Sequence, residues 1–202
     1  MPRKGIALVI SAPSGAGKTT LVQRLLREFP QFGYSISCTT RKPRQGEVDG
    51  KDYVFLSREE FELRRTQGYF AEWAEVHGNL YGTPLAPVKE SLQRGQDVIF
   101  DIDVQGAAQL KLSLVEAVFI FILPPSMAEL ERRLRSRALD DEATIERRMT
   151  NARQEMRESH WYDALVVNDD LDTAYDALRA VFVAARLAPF RSPGLLDSLL
   201  DC

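Results

Sequence analysis

The chain has 202 residues, 45% of them hydrophobic and 27% charged, with a net charge of −3. This is the balance of one compact globular unit, and it excludes a general affinity for nucleic acid or an anionic membrane surface. Two cysteines without metal-ligand spacing, Cys38 and Cys202, exclude a disulfide framework, and no apolar run is long enough to span a bilayer or act as a leader, so a cytoplasmic setting is expected.

Ile6, Ala7, Leu8, Val9 and Ile10 form an apolar run that predicts a buried strand. Leu21, Val22, Leu25, Leu26 and Phe29 recur at the spacing of one helix face. Between them lies Ser11-Ala12-Pro13-Ser14-Gly15-Ala16-Gly17-Lys18-Thr19-Thr20. Strand, glycine-rich turn, Gly-Lys-Thr and helix together make the setting of a phosphate-binding loop. Gly15 and Gly17 let the backbone curl so that successive N–H groups converge on an anion, and a helix starting at Lys18 adds its positive end. Lys18 would reach the β- and γ-phosphates and the Thr19 hydroxyl would face Mg²⁺. The strict motif opens on glycine, and here that position is Ala12.

After Pro30, residues 34–40 alternate polar and apolar, which predicts a half-exposed strand. Arg41-Lys42-Pro43-Arg44 puts two arginines on a proline-stiffened turn, and Gly46 and Gly50 bracket a polar loop. Residues 52–56 predict a short strand. Ser57 and Glu60 form a capping box for a helix over 58–67, ended by Gly68. Residues 70–76 alternate with period two, a strand with one wet face, followed by a hairpin turn from His77 around Gly78-Asn79. Thr83-Pro84 predicts a helix start, with Thr83 as N-cap and Pro84 in the first turn, running to Arg94-Gly95.

Residues 97–103 return to the buried-strand style, with Asp101 and Asp103 at the carboxyl end. Residues 117–123 predict a third buried strand, closed by Pro124-Pro125. Ser126 and Glu129 form a second capping box, and the helix beyond carries Arg132, Arg133, Arg135 and Arg137. Asp140-Asp141-Glu142 marks a turn before a helix with Arg147, Arg148 and Arg153. Residues 164–167 predict a last buried strand, and Leu171, Ala174, Leu178, Val181, Phe182 and Ala185 the stripe of a closing helix. From Pro189 the tail reads as irregular. Near-continuous apolar strands alternating with helices predict a parallel α/β sheet covered on both faces, with ligands beyond the carboxyl ends of its strands. The phosphate loop, Asp101 and Asp103 all fall there, so a nucleoside triphosphate with Mg²⁺ is the expected ligand, and which aspartate faces the metal stays open.

The stretch 34–95 reads as a small subdomain inserted into this core. Arg41, Arg44, Tyr53 and Tyr81 are donors suited to a second phosphate, and Ser37, Glu72 and Thr83 are suited to a base. Guanine presents N1–H and an amine that one carboxylate accepts as a pair, whereas adenine would face it with an acceptor.

The chain resembles the guanylate kinase family of P-loop nucleoside monophosphate kinases over almost its whole length. The resemblance rests on residues 11–19, Ser37, Thr39-Thr40-Arg41-Lys42-Pro43-Arg44, residues 46–53, Glu72-Trp73, Tyr81-Gly82-Thr83, Asp101-Ile102-Asp103-Val104-Gln105-Gly106, Pro124-Pro125-Ser126 and Asn168-Asp169-Asp170. It implies transfer of the γ-phosphoryl of ATP to GMP, with dGMP open as a second acceptor, and leaves a homo-oligomer open. It implies an α/β P-loop core (1–33, 96–125 and 157–188), a GMP-binding subdomain (34–95), a mobile helical lid (126–156) and a tail (189–202). It implies that Ala12, Pro13, Ser14, Gly15, Ala16, Gly17, Lys18, Thr19 and Thr20 hold ATP, with Asn168 near the adenine. Ser37, Glu72 and Thr83 would hold guanine, with Asp101 nearby, and Arg41, Arg44, Tyr53 and Tyr81 the GMP phosphate. Lys18, Arg133, Arg137 and Arg148 would carry catalysis. Two other readings remain: a related kinase acting on a sugar phosphate, which should lack the guanine trio, and a non-catalytic binding module, which should have a degraded phosphate loop.

Overall fold

The computed structural model describes residues 3–33, 35–76, 78–136 and 141–201. The first part of the chain runs β1 (Ala7–Ser11), α1 (Lys18–Glu28), β2 (Cys38–Thr39), β3 (Val54–Phe55), α2 (Arg58–Thr66), β4 (Phe70–Val76), β5 (Asn79–Pro84) and α3 (Leu85–Gln93). The second part runs β6 (Val98–Asp101), α4 (Val104–Ser113), β7 (Val118–Leu123), α5 (Met127–Ser136), α6 (Glu142–Glu158), β8 (Ala164–Val167), α7 (Leu171–Arg186) and α8 (Leu195–Leu200).

Strands β6, β1, β7 and β8 form a parallel sheet in that order. Successive side chains point to opposite faces. Leu8, Ile10, Ile120 and Ile122 therefore pack with Leu21 and Leu25 of α1 and Leu178 and Phe182 of α7. Ala7, Val9, Phe119 and Phe121 pack with Val104, Ala107 and Leu110 of α4 and with Val88 of α3. Burial on both faces is why β1 and β7 read as unbroken apolar runs. The expected buried strand at 164–167 is instead an edge strand, with Val166 inside and Leu165 and Val167 more than half exposed. It lies beyond β7 and is covered on the α7 side.

Helix α4 fills a stretch where the sequence pattern points to no element. Its buried face includes Gly106 and Ala107, so apolar contrast along it is weak, and the Asp103 side chain caps it by accepting from Gly106 N at 2.8 Å. Ser57 and Ser126 accept from the amides of Glu60 and Glu129, as the capping boxes predict.

The second sheet has the order β3-β2-β5-β4. The strand expected over 34–40 narrows to Cys38 and Thr39, the residues flanked by ladders on both sides, with Tyr34 outside the described residues. The hairpin joining β4 and β5 turns at Gly78, with His77 outside the described residues. Thr83 is not the N-cap of α3: β5 continues through Pro84, which takes that position without a side-chain cap. The Thr83 hydroxyl is drawn instead to Glu72, its direct partner across the ladder. Nor does β4 have one wet face throughout, because Phe70, Ala71 and Glu72 are all buried.

Helices α5 and α6 share a small core of their own from Leu130, Leu134, Ile145, Met149 and Ala152. Asp141 caps α6; Asp140 lies outside the described residues, as do Arg137 and Cys202. The tail expected to be irregular is fastened and partly helical. Arg191 is buried and donates to the carbonyls of Gly5 and Glu116, and α8 follows with its leucines exposed. No helix among the described residues is long and apolar enough to cross a membrane.

Candidate active site

The loop after β1 turns on two left-handed glycines, Gly15 at φ 93° and Gly17 at φ 95°. Gly17 is the N-cap of α1 and supplies no side-chain acceptor. The first-turn amides of α1 are thus left to an anion, at the positive end of the helix dipole. Ala12 is partly buried and packs against the core, Pro13 is buried, and Ser14, Thr19 and Thr20 are exposed. Leu130 and Leu134 of α5 lie over Gly15, where a Cβ would meet them at 3.1 and 3.0 Å.

Lys18 reaches the carboxyl end of β6: its Nζ donates to Ile102 O at 3.0 Å and pairs with Asp101 Oδ1 at 2.6 Å. Asn168 is buried behind the loop and donates its amide to Ala16 O at 2.7 Å. Arg133 crosses from α5 to the same place, donating to Asn168 O at 3.0 Å while Glu129 holds its Nε at 2.8 Å. Shared between Arg132 and Arg133, the Glu129 carboxyl is pulled down to about 2. Arg148 of α6 points its Nη1 at Ser14 Oγ, 3.4 Å away. Arg137 lies outside the described residues.

A cavity of about 490 Å³ opens beside the loop. Ser37, Tyr53, Glu72, Tyr81, Thr83 and Asp101 line it together with Thr19, so residues from both sheets converge on one space. Glu72 sits deep in it, 9% exposed, and accepts from Thr83 Oγ1 at 2.5 Å. Burial raises its pKa, the Thr83 bond opposes the rise, and the charge of Asp103 adds to it. Arg41 stands with its guanidinium 5.5 Å from the Tyr53 ring centroid. Glu47 grips it with both oxygens at 2.8 and 3.0 Å and also accepts from Arg44 N at 2.7 Å. Glu47 thereby fixes the turn carrying both arginines, and the bond to Arg41 holds its carboxyl below the usual range. Sequence reasoning missed Glu47, whose signal is an acid inside a glycine-bracketed loop next to two arginines.

Thr19, Asp101 and Asp103 all border the cavity with oxygen ligands. That donor set suits Mg²⁺, which keeps several waters and takes few protein oxygens. Asp103 is already engaged in capping α4 and Asp101 in pairing with Lys18.

A phosphate loop on a parallel sheet, facing a cavity with a buried carboxylate and bordered by arginines from two further elements, defines a P-loop nucleotide kinase. A family model described as guanylate kinase matches residues 4–185. The guanylate kinase of Lawsonia intracellularis is 60% identical over 197 residues, covering 98% of this chain and 93% of its own. That of Oleidesulfovibrio alaskensis is 59% identical, covering 99% and 97%. The crystal structure of guanylate kinase from Anaplasma phagocytophilum superposes with a TM-score of 0.72 at 34% identity, covering 98% of this chain and 95% of that one. The chain belongs to the guanylate kinase family.

Proposed function

We propose that this kinase transfers the γ-phosphoryl group of ATP to GMP across the 490 Å³ cavity, giving ADP and GDP. The observation that carries the acceptor reading is Glu72, a buried carboxylate that shares this cavity with Thr19 of the phosphate loop. An ionised carboxylate accepts from guanine N1–H and from the 2-amino group together, and Ser37 and Thr83 complete the contacts to the base. Adenine would set an acceptor against the same carboxylate, a buried mismatch that selects strongly. Tyr53, Tyr81, Arg41 and Arg44 then take the GMP phosphate, with Glu47 keeping Arg41 in place.

On the donor side, residues 12–20 wrap the ATP phosphates, and Asn168 supports the loop from behind on the side given to the adenine. Lys18 moves from Asp101 to the β- and γ-oxygens. Thr19 and Asp101 would hold Mg²⁺, which would supply charge neutralisation to the phosphates. The attacking GMP oxygen is already anionic, so no general base is needed. Catalysis consists of alignment and of charge stabilisation by Lys18 and by Arg133, Arg137 and Arg148. The separate core of α5 and α6 supports their reading as a lid that keeps water from the transferring group.

A coupled assay of ADP release with GMP, dGMP, AMP, UMP and ribose bisphosphate as acceptors tests this. A preference for GMP over AMP of about 10³-fold or more in kcat/KM is expected. Comparable turnover of AMP or ribose bisphosphate would overturn the reading.

A further inference from the structure

Strand β4 is the outer strand of the second sheet, so among the described residues one edge of its backbone has no strand to pair with. Helix α4, which follows β6 of the parallel sheet, lies along that edge. Gln109 treats the edge as another strand would: its Oε1 accepts from Trp73 N at 3.0 Å and its Nε2 donates to Trp73 O at 2.9 Å. One turn on, Ser113 Oγ donates to Ala71 O at 3.0 Å. These two side chains bracket Glu72 on either side in the sequence.

The bracketed position is where β4 changes register. Phe70 pairs with Pro84 and Glu72 with Thr83, so Ala71 is an extra residue, a bulge, in the ladder with β5. A slip of one residue would turn every side chain beyond it to the opposite face, and Glu72 would leave the cavity. A bulge at an open edge is poorly pinned by its own ladder, because the bulged residue has no partner. Here α4 supplies the missing partners on both sides of Glu72. The same helix presses its first turn on the carboxylate: a Cβ built at Gly106 would lie 3.4 Å from Glu72 Oε2.

We propose that Gln109 is a positioning residue for acceptor selection, fixing the register of β4 through both polar groups of Trp73 so that Glu72 meets the two donors of guanine. The proposal rests on the reading of Glu72 as the guanine acceptor. It also ties the base-reading strand to the helix that starts beside Asp101 and Lys18, so the two substrate sites share one rigid element.

The test uses the full-length enzyme with Gln109→Met, which keeps the side-chain volume and removes both hydrogen bonds, and with Gln109→Glu, which keeps the acceptor for Trp73 N and loses the donor. Three quantities are read: hydrogen exchange at the Trp73 amide, KM and kcat for each substrate, and the GMP-to-IMP ratio in kcat/KM. IMP lacks the 2-amino group and so reports the second bond to Glu72. Gln109→Met is expected to expose the Trp73 amide, to raise KM for GMP about tenfold with a smaller change in kcat and in KM for ATP, and to lower the GMP-to-IMP ratio by a similar factor. Gln109→Glu, which sets a carboxylate oxygen against Trp73 O, should lose at least as much. An unchanged GMP-to-IMP ratio, or equal losses with GMP and IMP alongside lowered stability, would overturn the positioning role. Glu72→Gln is measured in parallel: an unaltered ratio in that variant, with Trp73 still protected, would show instead that the guanine reading is at fault, and the positioning role would fall with it.

Discussion

Gly17 and Asn168 are fitted to each other: a Cβ at Gly17 would stand 2.2 Å from the Asn168 amide nitrogen, which is itself committed to Ala16 O at 2.7 Å. Gly17 also holds φ 95°, so two separate costs meet at one residue. Gly17→Ala is expected to destabilise the fold by about 2–4 kcal/mol, from the left-handed backbone and the displaced buried amide. Asn168→Ala in the same chain removes the clash and leaves the φ strain. Urea unfolding of the two single variants and the double should therefore show a double variant less destabilised than the sum; strict additivity would mean that the side chains do not compete for the space.

Lys18 and Asp101 pair at 2.6 Å at the carboxyl end of β6, both partly exposed. Lys18→Met removes the charge proposed to meet the β/γ-oxygens and keeps the stem. Turnover is expected to fall by about 10³ or more with the melting temperature little changed. Near-normal turnover in the purified variant would sink the assignment of the phosphate loop.

On the proposed reading of Glu72, Glu72→Gln replaces a double acceptor by a group that would turn its own NH₂ toward one guanine donor. A loss of about 2–4 kcal/mol in kcat/KM for GMP is expected, with KM for ATP little changed. Because burial raises the Glu72 pKa, its ionised form is lost as pH falls at a higher pH than for an ordinary glutamate. The wild-type kcat/KM for GMP should thus carry an acid limb that the Gln variant lacks. Identical pH profiles would place that limb on another group.

Arg148 reaches Ser14 of the phosphate loop from α6. In the proposed role its contact with the transferring group would strengthen as charge develops, so Arg148→Ala should lower kcat far more than it raises KM for GMP. An unchanged kcat would return Arg148 to the solvated surface and leave the phosphates to the other arginines.

Glu155 of α6 faces Asp103 across a polar cleft, and its pKa is raised to about 6, first by burial and then by Asp103, with Lys18 opposing. A carboxyl whose folded pKa is raised binds more protons folded than unfolded. Its contribution to stability therefore falls as pH rises from about 4.5 to 6 and stays lost above. Glu155 is partly exposed, and after discounting the shift for solvent screening Glu155→Gln should match the wild type near pH 4 and be more stable at pH 8 by about 1 kcal/mol, or roughly 2–4 °C in Tm. A destabilised variant at pH 8 would mean that the charge is compensated by another partner.

Elements whose causes are local were legible in the chain alone. The phosphate loop was legible because Gly15, Gly17, Lys18 and Thr19 act through backbone conformation and a helix terminus, all within ten residues. The capping boxes at Ser57 and Ser126 and the doubly covered strands β1 and β7 were legible for the same reason, since a cap or an apolar run records its own surroundings. What depends on which element lies alongside emerged only from packing. Residues 164–167 read like β1 in sequence, yet among the described residues no strand lies beyond β8, which leaves Leu165 and Val167 exposed. Thr83 had the signature of an N-cap, but the ladder set it opposite Glu72 and the carboxylate drew its hydroxyl away from the helix. Gln109 meets Trp73 across 36 residues and Ser113 meets Ala71 across 42, partners that the fold alone brings to them. Such pairings leave no period or spacing in the chain, because the geometry that creates them exists only once the two sheets and α4 are packed together.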